Sequence, residues 1–152
     1  MLLHYFGSKE ALIAEVMEQV QHRLQSSFQQ LLDRAGNDVS EAFLVDFWNT
    51  LAAKANRPSL RLLFEVQMLA LQNPKRYRRY LTRTSASWRQ LIERVLPRKG
   101  NGAATATLYN AVVDGLLLEL LATGDLRRTS NALRIFINRP RALPPARRKA
   151  RK

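Results

Sequence analysis

From Leu12 to Ile137, apolar residues recur at three- and four-residue spacing. No convincing strand-like alternation of apolar and polar residues is sustained, the short runs at 85–89 and 104–108 lying inside longer segments of helical period. That period belongs to helices, so the chain is expected to be all-α. Its 152 residues, 46% of them hydrophobic, are one domain's worth of sequence with ample material for a core. Cysteine is absent, which removes disulfide and thiolate chemistry and fits a reducing cytoplasm.

Breakers divide the periodic sequence into segments. The first runs over 8–35 with an expected inward stripe of Leu12, Val16, Val20, Leu24, Phe28, Leu31 and Leu32, and Gly36-Asn37 stops it. Asp38 and Glu41 fit a capping box for a helix reaching Ala55, whose stripe includes Leu44, Phe47, Trp48 and Leu51. Pro58 suits the first position of a helix ending at Gln72. That helix is apolar on nearly every side and is therefore expected to be buried on every side, with Arg61, Glu65 and Gln67 as its polar interior residues.

Asn73-Pro74 reads as the cap and first position of a helix to Leu96, with Tyr77, Tyr80, Leu81, Thr84, Trp88, Leu91, Ile92 and Val95 facing inward. Residues 97–102 are a loop by composition. The segment 102–123 is again apolar nearly all round. It carries Asn110, Asp114 and Glu119, which a membrane span rarely tolerates, so a buried helix of a soluble protein is expected and no membrane partner. Gly124 ends it, and Asp125 caps a last helix over 126–138.

Charge narrows the partners. Lys and Arg number 25 against 12 acids, giving +13, and seven of the bases crowd into residues 139–152. That Pro/Arg/Lys tail cannot build a packed core and reads as disordered. A basic body with a more basic tail favours polyanions, nucleic acid first. The stretch from Asn73 to Tyr80 interleaves bases with aromatics, as stacking surfaces do. Tyr77 and Tyr80 fall on the inward stripe, however, so a solvated basic face is the plainer reading. No charged-then-apolar leader is visible at the start.

Leu3-His4-Tyr5-Phe6-Gly7-Ser8-Lys9-Glu10-Ala11-Leu12 resembles the end of the recognition helix and the start of the next helix in TetR-family repressors. Leu63-Phe64-Glu65 through Asn73-Pro74 is similar to a segment of that family's ligand domain. Asp114-Gly115-Leu116 and Thr123-Gly124-Asp125 are similar to its dimer-helix signature. The resemblance implies a TetR-like C-terminal regulatory bundle with a remnant of the recognition helix. Residues 1–7 would be the remnant, 8–138 the ligand-binding and dimerisation domain, and 139–152 a basic tail. It also implies that the base-reading positions precede Met1, so specific operator binding would be absent from this chain. A start assigned too late, a truncated gene and a headless regulator all fit.

By the same resemblance His4, Tyr5 and Lys9 would touch DNA phosphate, which positions a protein without reading sequence. The relatives' last two long helices pair with those of a second subunit. In this chain Leu116, Leu117, Leu118, Leu120 and Leu121 point in too many directions for one core, and a symmetry-related copy would cover them. The contact is expected on Val112, Leu116, Leu117, Leu120, Leu133, Phe136 and Ile137.

A small-molecule effector would need a mostly apolar cavity with a few polar anchors. Phe47, Trp48, Phe64, Met68, Trp88 and Leu91 are candidate walls. Glu65, Gln67, Asn110 and Asp114 are candidate anchors. The competing reading is ordinary core for the aromatics and pairing with Arg61, Arg89 or Arg94 for the carboxylates. Glu15, Glu18 and His22 share a helix face, but without a second clustered histidine no metal site is expected. With two histidines, no cysteine, no nucleophile elbow and no phosphate-cradling glycine loop, the inventory is that of a non-enzyme without a cofactor.

The expectation is a dimeric, effector-responsive regulator of repressor type, cytoplasmic, with DNA as partner of the intact gene product. The alternatives are a small basic nucleic-acid-coating protein, or a ligand- or partner-binding protein that does not touch DNA.

Overall fold

The described residues, 9–36, 40–95 and 102–138 of a computed structural model with the side chains of Lys9, Glu10 and Val95 left aside, form six α-helices and one 3-10 turn. The helices are α1 (Lys9–Arg34), α2 (Glu41–Ala52), α3 (Arg57–Gln72), α4 (Arg78–Val95), α5 (Gly102–Thr123) and α6 (Leu126–Ile137), with the 3-10 turn at Lys54–Asn56. No strand occurs among the described residues, so the all-helical expectation holds. The expected remnant at 1–7 and the tail at 139–152 lie outside the described residues, as does the side chain of Lys9.

α1 runs through the middle of the packing, against α2, α3 and α4, while α5 rests chiefly on α4 and α6. The buried stripe of α1 is Met17, Gln21, Leu24, Phe28 and Leu32. This differs from the expected frame in the N-terminal half. Val16 is 39% exposed and Met17 is sealed. The polar Gln21 occupies an inward position, which moves the apparent apolar stripe one residue aside. Phe28 meets the rings of Phe43 and Phe47 edge-on at 5.3 and 4.6 Å, a geometry that suits the ring quadrupoles and pins α2 to α1.

The termini explain most boundary differences. Gly36 at φ +60° and Gly124 at φ +74° end α1 and α5 in the left-handed region, as the sequence implied. Ser40, rather than Asp38, caps α2. Its backbone is extended and its hydroxyl accepts the Phe43 N–H at 3.3 Å. Glu41 instead accepts the Asn138 amide at 3.1 Å, across the fold.

The α2 helix stops at Ala52, before the expected Ala55. A 3-10 turn intervenes, and Pro58 becomes the second residue of α3. Asn73 does not cap α4. Its carbonyl accepts the N–H groups of Arg76 and Tyr77, closing a turn, and its amide reaches back to the Leu69 carbonyl at 3.4 Å. The next helix therefore starts four residues late, at Arg78.

The helix expected to be buried on all sides, α3, is not. Leu60, Leu63, Phe64 and Ala70 are buried, while Leu62, Met68 and Leu71 are 39%, 50% and 52% exposed. Its neighbours α1, α4 and α5 do not encircle it. The more extreme case is α5. This helix is long and apolar enough to cross a membrane, yet only 17% of its most apolar 18-residue stretch is buried in the chain.

Candidate functional site

The expected apolar pocket is largely filled core. Trp48 is 2% exposed, and its indole N–H donates to Ser130 Oγ at 2.8 Å, so its polar handle is satisfied by α6. Phe47 and Trp48 do line a cavity, shared with Tyr109, Val113, Leu133 and Ile137, but its volume is about 20 Å3. A small-molecule site needs roughly ten times that or more. Room for about one water is present, but the walls are apolar and offer it no partners.

Phe64 and Leu91 are buried in the same contiguous core, with Trp88 packed against it. Met68 is half exposed and Gln67 half buried. Glu65, expected inside, is exposed. Among the described residues no ion pair joins Glu65 to any arginine, and Arg89 pairs with Glu93 at 3.1 Å.

Asn110 and Asp114 serve each other. The Asn110 amide donates to Asp114 Oδ2 at 2.9 Å, one turn along α5. Burial pushes the Asp114 carboxyl up to about 6, with the Asn110 hydrogen bond pulling the other way. No arginine compensates it among the described residues.

The expected dimer contact needs correction too. Leu117, Leu120 and Leu133 are 3%, 0% and 5% exposed, because they belong to the chain's own core and cannot also meet a partner. Ile137 and Leu116 pack against that core. Phe136 stacks edge-on to Tyr109 at 5.0 Å. Val112 is half buried. The exposed apolar side of α5 lies elsewhere, on Leu108, Ala111, Gly115, Leu118 and Ala122.

A polar cleft of about 420 Å3 opens between α1 and α4. Its floor is a ladder of side-chain hydrogen bonds. Arg83 Nη1 lies 3.0 Å from Glu18 Oε1. Thr84 Oγ1 donates to Gln21 Oε1 at 2.9 Å, and Gln25 Nε2 donates to Ser87 Oγ at 2.8 Å. Gln21, 6% exposed, also donates to the Tyr80 hydroxyl at 3.3 Å. Burial pushes the Tyr80 phenol above its ordinary 10, and the nearby Glu18 charge adds to that.

Around this floor stand Glu15, His22 and Arg23 on α1. Carboxylates, an imidazole, guanidinium groups, amides and hydroxyls thus share one cleft. Its volume is within the range of small-molecule sites, while its lining is far more polar than usual. Glu15, Glu18 and His22 line the cleft together, but Glu18 is turned to Arg83, and no group of three or more acidic or histidine ligands is placed to hold a metal ion among the described residues.

Periodicity places Thr84 on the inward stripe of α4, where the structure has it, but misses Gln21, Gln25, Arg83 and Ser87. The available signal was two polar pairs, Gln21/Gln25 at i, i+4 and Thr84/Ser87 at i, i+3, each interrupting an apolar stripe. No family model, curated protein or solved structure matches the chain.

Proposed function

We propose that the chain is the effector-sensing, self-associating body of a TetR-like transcriptional regulator. One observation carries the reading. α5 presents an exposed apolar stripe, Leu108, Ala111, Gly115, Leu118 and Ala122, at alternating three- and four-residue steps. This is the spacing of a seam between paired helices. Leu108 and Leu118 are 53% and 47% exposed, and Ile135 on the adjoining α6 is 65% exposed. Such a stripe on an isolated chain leaves apolar area in water that a second copy would cover.

Gly115 sharpens the point. A glycine inside a helix costs about 0.5–1 kcal/mol relative to alanine. Among the described residues, nothing beyond its own helix lies within 4 Å of the position its Cβ would take, so the described fold makes no demand for glycine there. Close approach of a partner helix would.

The likeness of residues 3–12 to the family's recognition-helix junction supplies the regulatory part of the reading. α1 continues directly from that segment, and the α1–α4 cleft is the effector site this reading favours. A polar, hydrogen-bonding ligand that binds one spacing of α1 and α4 better than another would bias the orientation of whatever precedes α1. Its leverage is limited to that difference in affinity.

Sedimentation equilibrium tests the reading. Wild type should show twice the 17.4 kDa of one chain at micromolar concentration. Leu118→Glu and Gly115→Leu should return it to a single chain with its helicity intact. A wild-type monomer with salt-sensitive DNA affinity would instead place the chain among small basic nucleic-acid-coating proteins.

A further inference from the structure

Between Glu65 and Glu93 the sequence has no acid, and five bases fall within nine positions: Lys75, Arg76, Arg78, Arg79 and Arg83. The apolar members of this stretch turn inward. Tyr77 and Tyr80 are buried and Leu81 packs against the core, so the bases are left facing water. Arg83 is held by Glu18. No ion pair among the described residues involves Lys75, Arg78 or Arg79.

The position of this ridge follows from the ladder between α1 and α4. Glu18 meets Arg83, Gln21 meets Thr84, and Gln25 meets Ser87, so the two helices run parallel. Counting back five residues from the Glu18–Arg83 pair brings Arg78 level with Ile13. That is about 6 Å, or one turn, from where α1 begins. The ridge therefore sits at the end of the body where α1 begins.

We propose that Lys75, Arg78 and Arg79 form a sequence-independent contact to the phosphate backbone of duplex DNA, made by the helical body itself. Guanidinium groups suit phosphate because their planar donors match its oxygens in pairs. The stretch 75–83 shows no exposed apolar side chain with which to enter a lipid surface, which favours nucleic acid over a membrane. Such contacts neutralise phosphates, release counterions and carry no sequence information. The inference rests on charge and register and does not need the family resemblance.

The test is fluorescence anisotropy of a mixed-sequence 30-base-pair duplex with the full chain across a sodium chloride series. Three proteins are compared: wild type, Lys75→Glu/Arg78→Glu/Arg79→Glu, and a tail variant, Arg147→Glu/Arg148→Glu/Lys149→Glu. The ridge variant should lose roughly tenfold or more in affinity at 100 mM salt, and the slope of log K against log salt should flatten by about 3. The tail variant should retain the ridge's share.

Equal affinity and slope for wild type and ridge variant would overturn the proposal. So would loss of all binding in the tail variant alone. Should the ridge variant keep its DNA affinity but lose binding to phosphatidylserine vesicles, the ridge is a membrane surface and the proposal fails. A neutral set, Lys75→Gln/Arg78→Gln/Arg79→Gln, gives the same reading if charge reversal lowers the helical circular dichroism. Self-association, measured by sedimentation on the same samples, is expected to be unchanged, so failure of the ridge and failure of the dimer are separable.

Discussion

The hydroxyl of Thr84 on α4 donates to the side-chain oxygen of Gln21 on α1 at 2.9 Å, joining two helices whose residues are 63 apart in sequence. Gln21 is one of the few buried polar residues among those described, and its amide nitrogen is spent on Tyr80. Both ends of a buried amide are thus satisfied, the condition under which such a group does not cost stability.

Gln21→Ala should destabilise the fold by about 1–3 kcal/mol, because it leaves the hydroxyls of Thr84 and Tyr80 with only each other in a largely desolvated site. Gln21→Met combined with Thr84→Val removes two partners together and should cost less than the sum of the single changes. Urea denaturation of the four proteins in a double-mutant cycle measures this, and additive losses would show that the pair is not coupled.

Trp48 and Ser130 make the matching test for α2 and α6. Ser130→Ala leaves the indole N–H unpaired at a position 2% exposed, for a loss of about 1–3 kcal/mol. Trp48→Ala should cost about 3–5 kcal/mol through the cavity it opens.

Asp114 gives a pH dependence of stated sign. Its carboxyl sits at about 6 in the fold against an ordinary 3.8. Between those values the folded chain binds more protons than the unfolded one, so stability falls as pH rises from about 4 to about 6 and is level above that. The charged form costs up to about 3 kcal/mol at neutral pH. Asp114→Asn should therefore be more stable than wild type at pH 7, and the gap should close towards pH 4. Urea midpoints at the two pH values check it, and a gap independent of pH would refute the buried carboxylate.

The helix punctuation was legible in part, where it is chemically local; the cap expected at Asp38 falls to Ser40, the one expected at Asn73 closes a turn instead, and Pro58 takes the second helical position. Gly36, Gly124 and Asp125 act through their own backbone freedom or side-chain reach, and the fold uses them as read. The face of each helix was less legible. On α1 a polar residue in the inward stripe, Gln21, hid the true frame, because its burial depends on Tyr80 and Thr84, far along the chain. For α3 and α5, apolar character on all sides shows only that cover is needed. It does not say which side the chain itself covers. Periodicity therefore assigns Leu117 and Leu120 to a partner although they belong to the core, and it overlooks the outward direction of Leu108 and Leu118. The cleft was invisible for a related reason: its parts lie on two helices, and only their parallel register brings them together.

The absence of cysteine from the sequence allows a direct test of the α5 seam. Single cysteines are introduced along the seam by Leu108→Cys, Ala111→Cys, Gly115→Cys and Leu118→Cys, each in its own protein, and by Glu65→Cys at an exposed position of α3. Disulfide formation under mild oxidation is then followed on non-reducing gels. In a two-fold pair along this seam the position nearest the axis meets its own copy within the roughly 7 Å that a disulfide requires, so at least one seam variant should form covalent dimers rapidly and Glu65→Cys should not. A set of seam variants that all stay monomeric, or that cross-link no faster than Glu65→Cys, would contradict a self-associating body built on α5.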